Sequence, residues 1–167
     1  MIYHLSLGSN QGMVEKNLET ARRELKRTGI KIRRCSSLFK TEPVGLIAQP
    51  WFINQAVEIT TGLSPWELLK TVKGIEERMG RRPSLRHGPR IIDIDILLAG
   101  DTVVDTAELI LPHPRLAERN FVLVPLAEIA GRVVHPLLKS SIGDLRDGCR
   151  DLSKVEKVGS KKRSRCA

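Results

Sequence analysis

The chain has 167 residues, 41% hydrophobic and 28% charged, with a formal net charge of +9. That make-up fits one soluble globular domain with its own core, and it excludes a disordered or membrane-spanning chain. The start, MIYHLSLGSN, lacks the basic and apolar regions of a signal peptide, and three scattered cysteines (Cys35, Cys149, Cys166) argue against a disulfide framework or a zinc site. A cytoplasmic setting is therefore expected. From Arg150 onward seven basic and two acidic residues concentrate +5 of the charge. The chain is accordingly divided into a single domain, 1–149, and a basic, flexible tail, 150–167.

Taken in order, Ile2 to Gly8 alternates and reads as a strand ending in the turn-like Gly8-Ser9-Asn10. Val14, Leu18, Ala21 and Leu25 recur at helical spacing, and the helix stops before Gly29. Ile30 to Phe39 is expected to be one second strand. Lys40 to Pro50, with two prolines and a glycine, reads as a loop long enough for a functional role. Trp51 to Thr61 is a third strand, with Phe52, Asn54, Ala56 and Glu58 on one face. Ser64 then caps a helix, with Pro65 at its first position and Glu67 completing a capping box. Leu68, Leu69, Val72, Ile75 and Met79 form its buried stripe, and Gly80 ends it. An arginine-rich loop, a strand through Asp93 and Asp95, a hairpin arm near Thr102 to Val104 and the segment LPHPRLAERNFVLVPLAEIA follow. Two successive β-α-β units predict an α+β ferredoxin-like sandwich, with helices on one face of an antiparallel sheet.

The chemistry concentrates in RHGPRIIDIDILLAG, Arg86 to Gly100. Asp93 and Asp95 share a strand face, while Ile92, Ile94, Ile96 and Leu98 are expected on the other. Paired carboxylates repel unless a cation lies between them, and magnesium suits carboxylate oxygen. Arg78, Arg81, Arg82, Arg86 and Arg90 lie within 13 residues that hold no acid, a pattern suited to a bound anion such as a nucleotide polyphosphate. A solvated acidic edge strand explains the aspartates equally well on their own. His113, pinned by Pro112 and Pro114, and Arg119 read either as phosphate contacts or as surface residues, and Phe121 as a recognition platform or as core. No glycine-rich phosphate loop and no nucleophile elbow is present. Two carboxylates on one strand lie too close together to flank a glycosidic bond.

HGPRIIDIDILLAG followed by LPHPRLAERNFVLVPL closely resembles the 6-hydroxymethyl-7,8-dihydropterin pyrophosphokinases of folate biosynthesis. SLGSN, SSLFKTEPVG…QPWFINQAV and IEERMGR match in order, so the resemblance covers roughly residues 2 to 135. It implies transfer of pyrophosphate from ATP to the pterin hydroxymethyl group, leaving AMP. By that resemblance Asp93 and Asp95 hold two magnesium ions, and Arg81 and Arg90 belong to the catalytic loop region. Glu76, Arg82, His113 and Arg119 take the ATP side. The pterin lies between Phe52 and Phe121, with Asn54 on its polar edge and Thr41 and Val44 lining the pocket. A monomer acting on ATP and the pterin is implied, with neither membrane nor nucleic acid as partner. The chain departs from the family pattern at His87, where tryptophan is usual, at Lys73, where glutamine is often found, and in a loop from Arg81 to His87 one residue shorter. An RNA-binding module would explain the charge but not the aspartates. A metal-dependent nuclease would need no pterin pocket, and a member that has lost catalysis is a third alternative.

Overall fold

The computed structural model describes residues 1–45, 48–81 and 88–159. Eight strands are present among them: β1 (Ile2–Ser9), β2 (Lys31–Cys35), β3 (Phe39–Thr41), β4 (Phe52–Thr60), β5 (Asp93–Ala99), β6 (Val104–Asp105), β7 (Ile110–Leu111) and β8 (Val155–Lys157). The helices are α1 (Val14–Arg27), α2 (Pro65–Arg78), α3 (Asn120–Ala130) and α4 (Ile142–Asp147). An antiparallel sheet runs in the order β5-β1-β4-β3-β8, with β2 also on β4, while β6 and β7 form a separate hairpin. This is the α+β sandwich with an antiparallel sheet that the element order implies. Among the described residues no helix is long and apolar enough to cross a membrane.

Local sequence explains the first two helices. Leu18, Ala21 and Leu25 on α1 and Leu68, Val72 and Ile75 on α2 are buried against Leu5, Leu7, Val57 and Ile94 of the sheet. Ser64 and Glu67 form the expected capping box, and Gly29 and Gly80 take the positive φ, 83° and 90°, that ends each helix. Leu69 and Met79 are only partly buried.

Helices cover both faces of the sheet, not one. Val122, Leu123, Leu126 and Ile129 of α3 pack with Ala56, Leu97 and Leu98 on the face opposite α1 and α2. Pro125 in the middle of α3 masks the helix in sequence. A second correction concerns Leu98. The β1–β5 register shifts between His4 and Leu5, so His4 pairs with Leu98 and Leu5 with Ile96. The added residue turns Leu98 away from Ile92, Ile94 and Ile96 toward α3.

The stretch expected as one strand, Ile30 to Phe39, is two. At the break the Ser36 N–H donates to the Ala56 carbonyl at 2.9 Å, and the Ser36 hydroxyl accepts the Ala56 N–H at 2.9 Å. A side chain thus replaces one rung of the ladder, and both pieces still pair with β4. Gly8 lies inside β1 and not in a turn. Past the boundary expected at Cys149, β8 pairs with β3, so the fold extends into the supposed tail; residues 160–167 lie outside the described residues. Cys149 is a free thiol, and Cys166 lies outside the described residues.

Candidate active site

One cleft of about 270 Å3 opens where the β1, β4 and β5 ends meet the segment leading into α3. Asp93, Asp95, Arg81, Arg90, His113 and Arg119 line it, together with Thr41, Val44, Phe52, Asn54 and Phe121. Eleven of the thirteen residues singled out in the sequence therefore meet in one place. Arg82 lies outside the described residues, as does His87. Glu76 is the exception: it is 2% exposed and is not part of the lining.

Glu76 sits under the charged end and organises it. Its carboxylate accepts the Ile94 backbone N–H at 2.6 Å and Lys73 Nζ at 3.0 Å, and it pairs with Arg81. Arg81 also reaches Asp93 at 2.8 Å, and Asp93 pairs in turn with Arg90. A chain of alternating charges thus runs from Lys73 through Glu76, Arg81 and Asp93 to Arg90. Burial works to raise the Asp93 carboxyl, but Arg90, Arg81 and Lys73 outweigh it and hold Asp93 below its usual range. Glu76 goes the other way, because burial prevails over its cationic partners.

Asp95 differs from its neighbour. Among the described residues no lysine or arginine lies within ion-pair distance of it. Burial first, and the charge of Asp93 second, push its carboxyl up. His113 and Arg119 oppose that rise, yet burial pulls both of these groups down from their own usual values. A carboxylate pair with one member lacking a cation is the donor set that a hard divalent ion prefers, so the residues fit magnesium.

The other end of the cleft is built differently. Phe52 and Asn54 share one face of β4, and Phe121 enters from the first turn of α3. The Asn54 side-chain amide donates to the Thr41 hydroxyl at 2.7 Å, which fixes its orientation. Gly8 pairs with Asn54 on one side and Asp93 on the other, and a Cβ there would stand 2.5 Å from Asn54 Oδ1. Only glycine leaves that amide in place. Arg119 stacks over Phe121 at 5.6 Å and joins the two ends of the cleft.

Several site residues escaped the sequence reading: Ser6, Gly8, Glu42, Lys73 and Gly88 in the lining, and Asn10 behind it. Asn10 is 3% exposed. It donates to Gln49 Oε1 at 3.0 Å and to the Pro50 carbonyl at 2.9 Å, and it accepts the Arg90 N–H at 2.8 Å. One side chain thereby ties together the two loops that flank the cleft. The alternation of β1 could have placed Ser6 and Gly8 on the face of Asp93 and Asp95, but nothing in the sequence pairs Asn10 with Arg90.

Comparison with known proteins bears on this site. Residues 4–131 match the model of the family described as 7,8-dihydro-6-hydroxymethylpterin-pyrophosphokinase. A 2-amino-4-hydroxy-6-hydroxymethyldihydropteridine pyrophosphokinase of Bacillus subtilis is 45% identical over 133 residues, 79% of this chain and 80% of that protein. A mitochondrial folate synthesis bifunctional protein of Arabidopsis thaliana is 46% identical over 130 residues, but the match covers 24% of its length. This chain thus spans about a quarter of that relative. Among solved structures, a Plasmodium falciparum HPPK-DHPS variant with pterin and p-hydroxybenzoate superposes with a TM-score of 0.72 at 20% identity, covering 87% of this chain and 43% of the other. That likeness speaks to the fold.

Proposed function

The chain belongs to the 7,8-dihydro-6-hydroxymethylpterin-pyrophosphokinase family, and from that premise we propose that it transfers pyrophosphate from ATP to 6-hydroxymethyl-7,8-dihydropterin in folate biosynthesis. The hydroxymethyl oxygen attacks the β-phosphorus of ATP. A new oxygen–phosphorus bond forms, the bond from the β-phosphorus to the α–β bridging oxygen breaks, AMP leaves, and the hydroxyl proton is released. The observation that carries the reading is the joining, in one cleft, of a carboxylate pair ringed by cations to an end lined by two phenylalanines and an oriented amide.

Each end then has its task. Phe52 and Phe121 hold the flat pterin between them, Asn54 meets its polar edge, and Thr41 and Val44 close the pocket around it. Arg81, Arg90, His113 and Arg119 take the phosphate oxygens, and Arg82 is assigned with them on the family resemblance. Glu76 acts beneath them as a positioning residue for Arg81 and Lys73, not as an ATP contact. Asp93 and Asp95 hold magnesium, two ions in this reading, which when bound neutralises phosphate charge and orients the triphosphate. Positioning and electrostatic stabilisation dominate, since the transfer asks for no covalent enzyme intermediate. The protein works as a monomer in the cytoplasm, with ATP and the pterin as its partners.

The test is AMP release from ATP and magnesium, with and without 6-hydroxymethyl-7,8-dihydropterin. AMP formed in step with pterin pyrophosphate, and abolished by chelating magnesium, is the expected result. A folded protein that binds ATP yet releases no pterin-dependent AMP would sink the proposal.

A further inference from the structure

The family match ends at residue 131, yet a segment well beyond it is bonded to two separate walls of the cleft. The first wall is the start of α3. Asp151 Oδ2 accepts the Asn120 backbone N–H at 2.8 Å, and the Asn120 side-chain amide donates to the Asp151 carbonyl at 3.0 Å. Asn120 stands between Arg119 and Phe121, which both line the cleft. The second wall is β3 and the residue after it. The Lys154 N–H donates to the Glu42 carboxylate at 2.7 Å, and the Glu42 N–H donates back to the Lys154 carbonyl at 3.1 Å. Glu42 and Thr41 belong to the lining, and Thr41 pairs in register with Val155 of β8.

The link between these anchors is short and stiffened. Only Leu152 and Ser153 separate Asp151 from Lys154, and Ser153 turns back to donate its N–H to Asp151 Oδ1 at 2.9 Å and its hydroxyl to the same atom. Beyond the second anchor, the Val158 N–H donates to the Leu38 carbonyl at 2.9 Å, and Lys157 pairs with Glu128 of α3 at 3.5 Å. Glu128 also accepts the Ser37 N–H and hydroxyl, at 3.0 and 2.8 Å. The segment therefore crosses from α3 to β3 and is held at both ends. Burial works against the Asp151 carboxylate, but its hydrogen bonds from Ser153 and Asn120 keep it below its usual range, as expected of an anchor held in its charged form.

We propose that residues 150–158 form a strap that sets the spacing between the α3 wall and the β3 wall at the ring-binding end of the cleft, with Asp151 as its positioning residue. The strap touches no reacting atom. It fixes where Phe121 stands relative to Thr41, and a stacked ring tolerates little error in that gap. The identity of the ring as a pterin rests on the function proposed above.

Two readouts on the full chain separate the strap from that function. The first, free of any ligand, is amide hydrogen exchange in Asp151→Ala against wild type. A simple helix cap would release Asn120 and its helical neighbours, whereas a strap also releases Glu42 on the far wall, by about tenfold in exchange rate. The second is steady-state kinetics: the KM for the pterin rises about tenfold, well beyond any rise in the KM for ATP. Exchange confined to α3 overturns the proposal, and so does an equal rise in both KM values. Should Asp151→Ala not fold, Asp151→Asn, which keeps one acceptor oxygen, replaces it with the same two readouts. A wild type that releases no pterin-dependent AMP defeats the proposed function, and the exchange at Glu42 still decides the strap.

Discussion

At the charged end of the cleft the side chains hold one another, while at the ring end the backbone holds the side chains. Lys73, Glu76, Arg81, Asp93 and Arg90 form a lattice of ion pairs on α2, the following loop and β5. Phe52 and Asn54 instead ride on the central strand β4, and Phe121 on a helix start tied to Asp151. The charged end is thus preorganised but overloaded with carboxylate at Asp95, a state that favours cation binding over stability. The ring end is preorganised with its polar groups satisfied. One end leaves a carboxylate without a basic partner, while the other holds its amide in place through a hydrogen bond.

That contrast can be broken by substitution. The largest effect is expected from Asp95→Ala: loss of a carboxylate proposed to hold magnesium should lower turnover at least about a thousandfold. Removing a carboxylate that lacks a basic partner should leave the Tm unchanged or raise it, and a large fall in Tm would show that Asp95 is structural. Glu76→Ala should do the opposite in thermodynamic terms. It strands the buried Ile94 N–H and two cations, at a cost of about 1–3 kcal/mol in urea denaturation. Glu76→Gln, which keeps an acceptor for Ile94, should cost less.

At the ring end Phe121→Ala should raise the pterin KM about tenfold, leaving the ATP KM within about twofold, through lost stacking. A parallel loss for ATP would show that the two ends are not separate. The smallest effect concerns pH. The folded state holds Asp151 below its ordinary value, so its contribution to stability is full above the unfolded value of about 4 and fades as pH falls through the lowered one. The gap in denaturation midpoint between wild type and Asp151→Asn should accordingly narrow on acidification from pH 6 to pH 3.

Much of the site was legible because period and proximity coincide. Asp93 and Asp95 are two apart on one strand, as are Phe52 and Asn54, so alternation alone places each pair on a common face. His113, Arg119 and Phe121 each carried two readings in the sequence, and the structure brings all three to the lining of the same cleft. Glu76 was placed on the ATP side by the resemblance alone, and only the packing of α2 on β5 shows that its carboxylate meets the Ile94 N–H beneath the cleft lining.

What the sequence determined by itself is local: helix caps, the glycine stops, the buried stripes of α1 and α2, and the faces of single strands. Each depends on residues within a few positions of one another, whose geometry the backbone period dictates. The tertiary structure decided what depends on register and long-range closure. It turned Leu98 to the second face, split one expected strand at Ser36, brought Asn10 to Arg90, and carried the supposed tail back to β3 as an eighth strand. Those contacts join residues tens of positions apart, and a single chain read in order carries no period that links them.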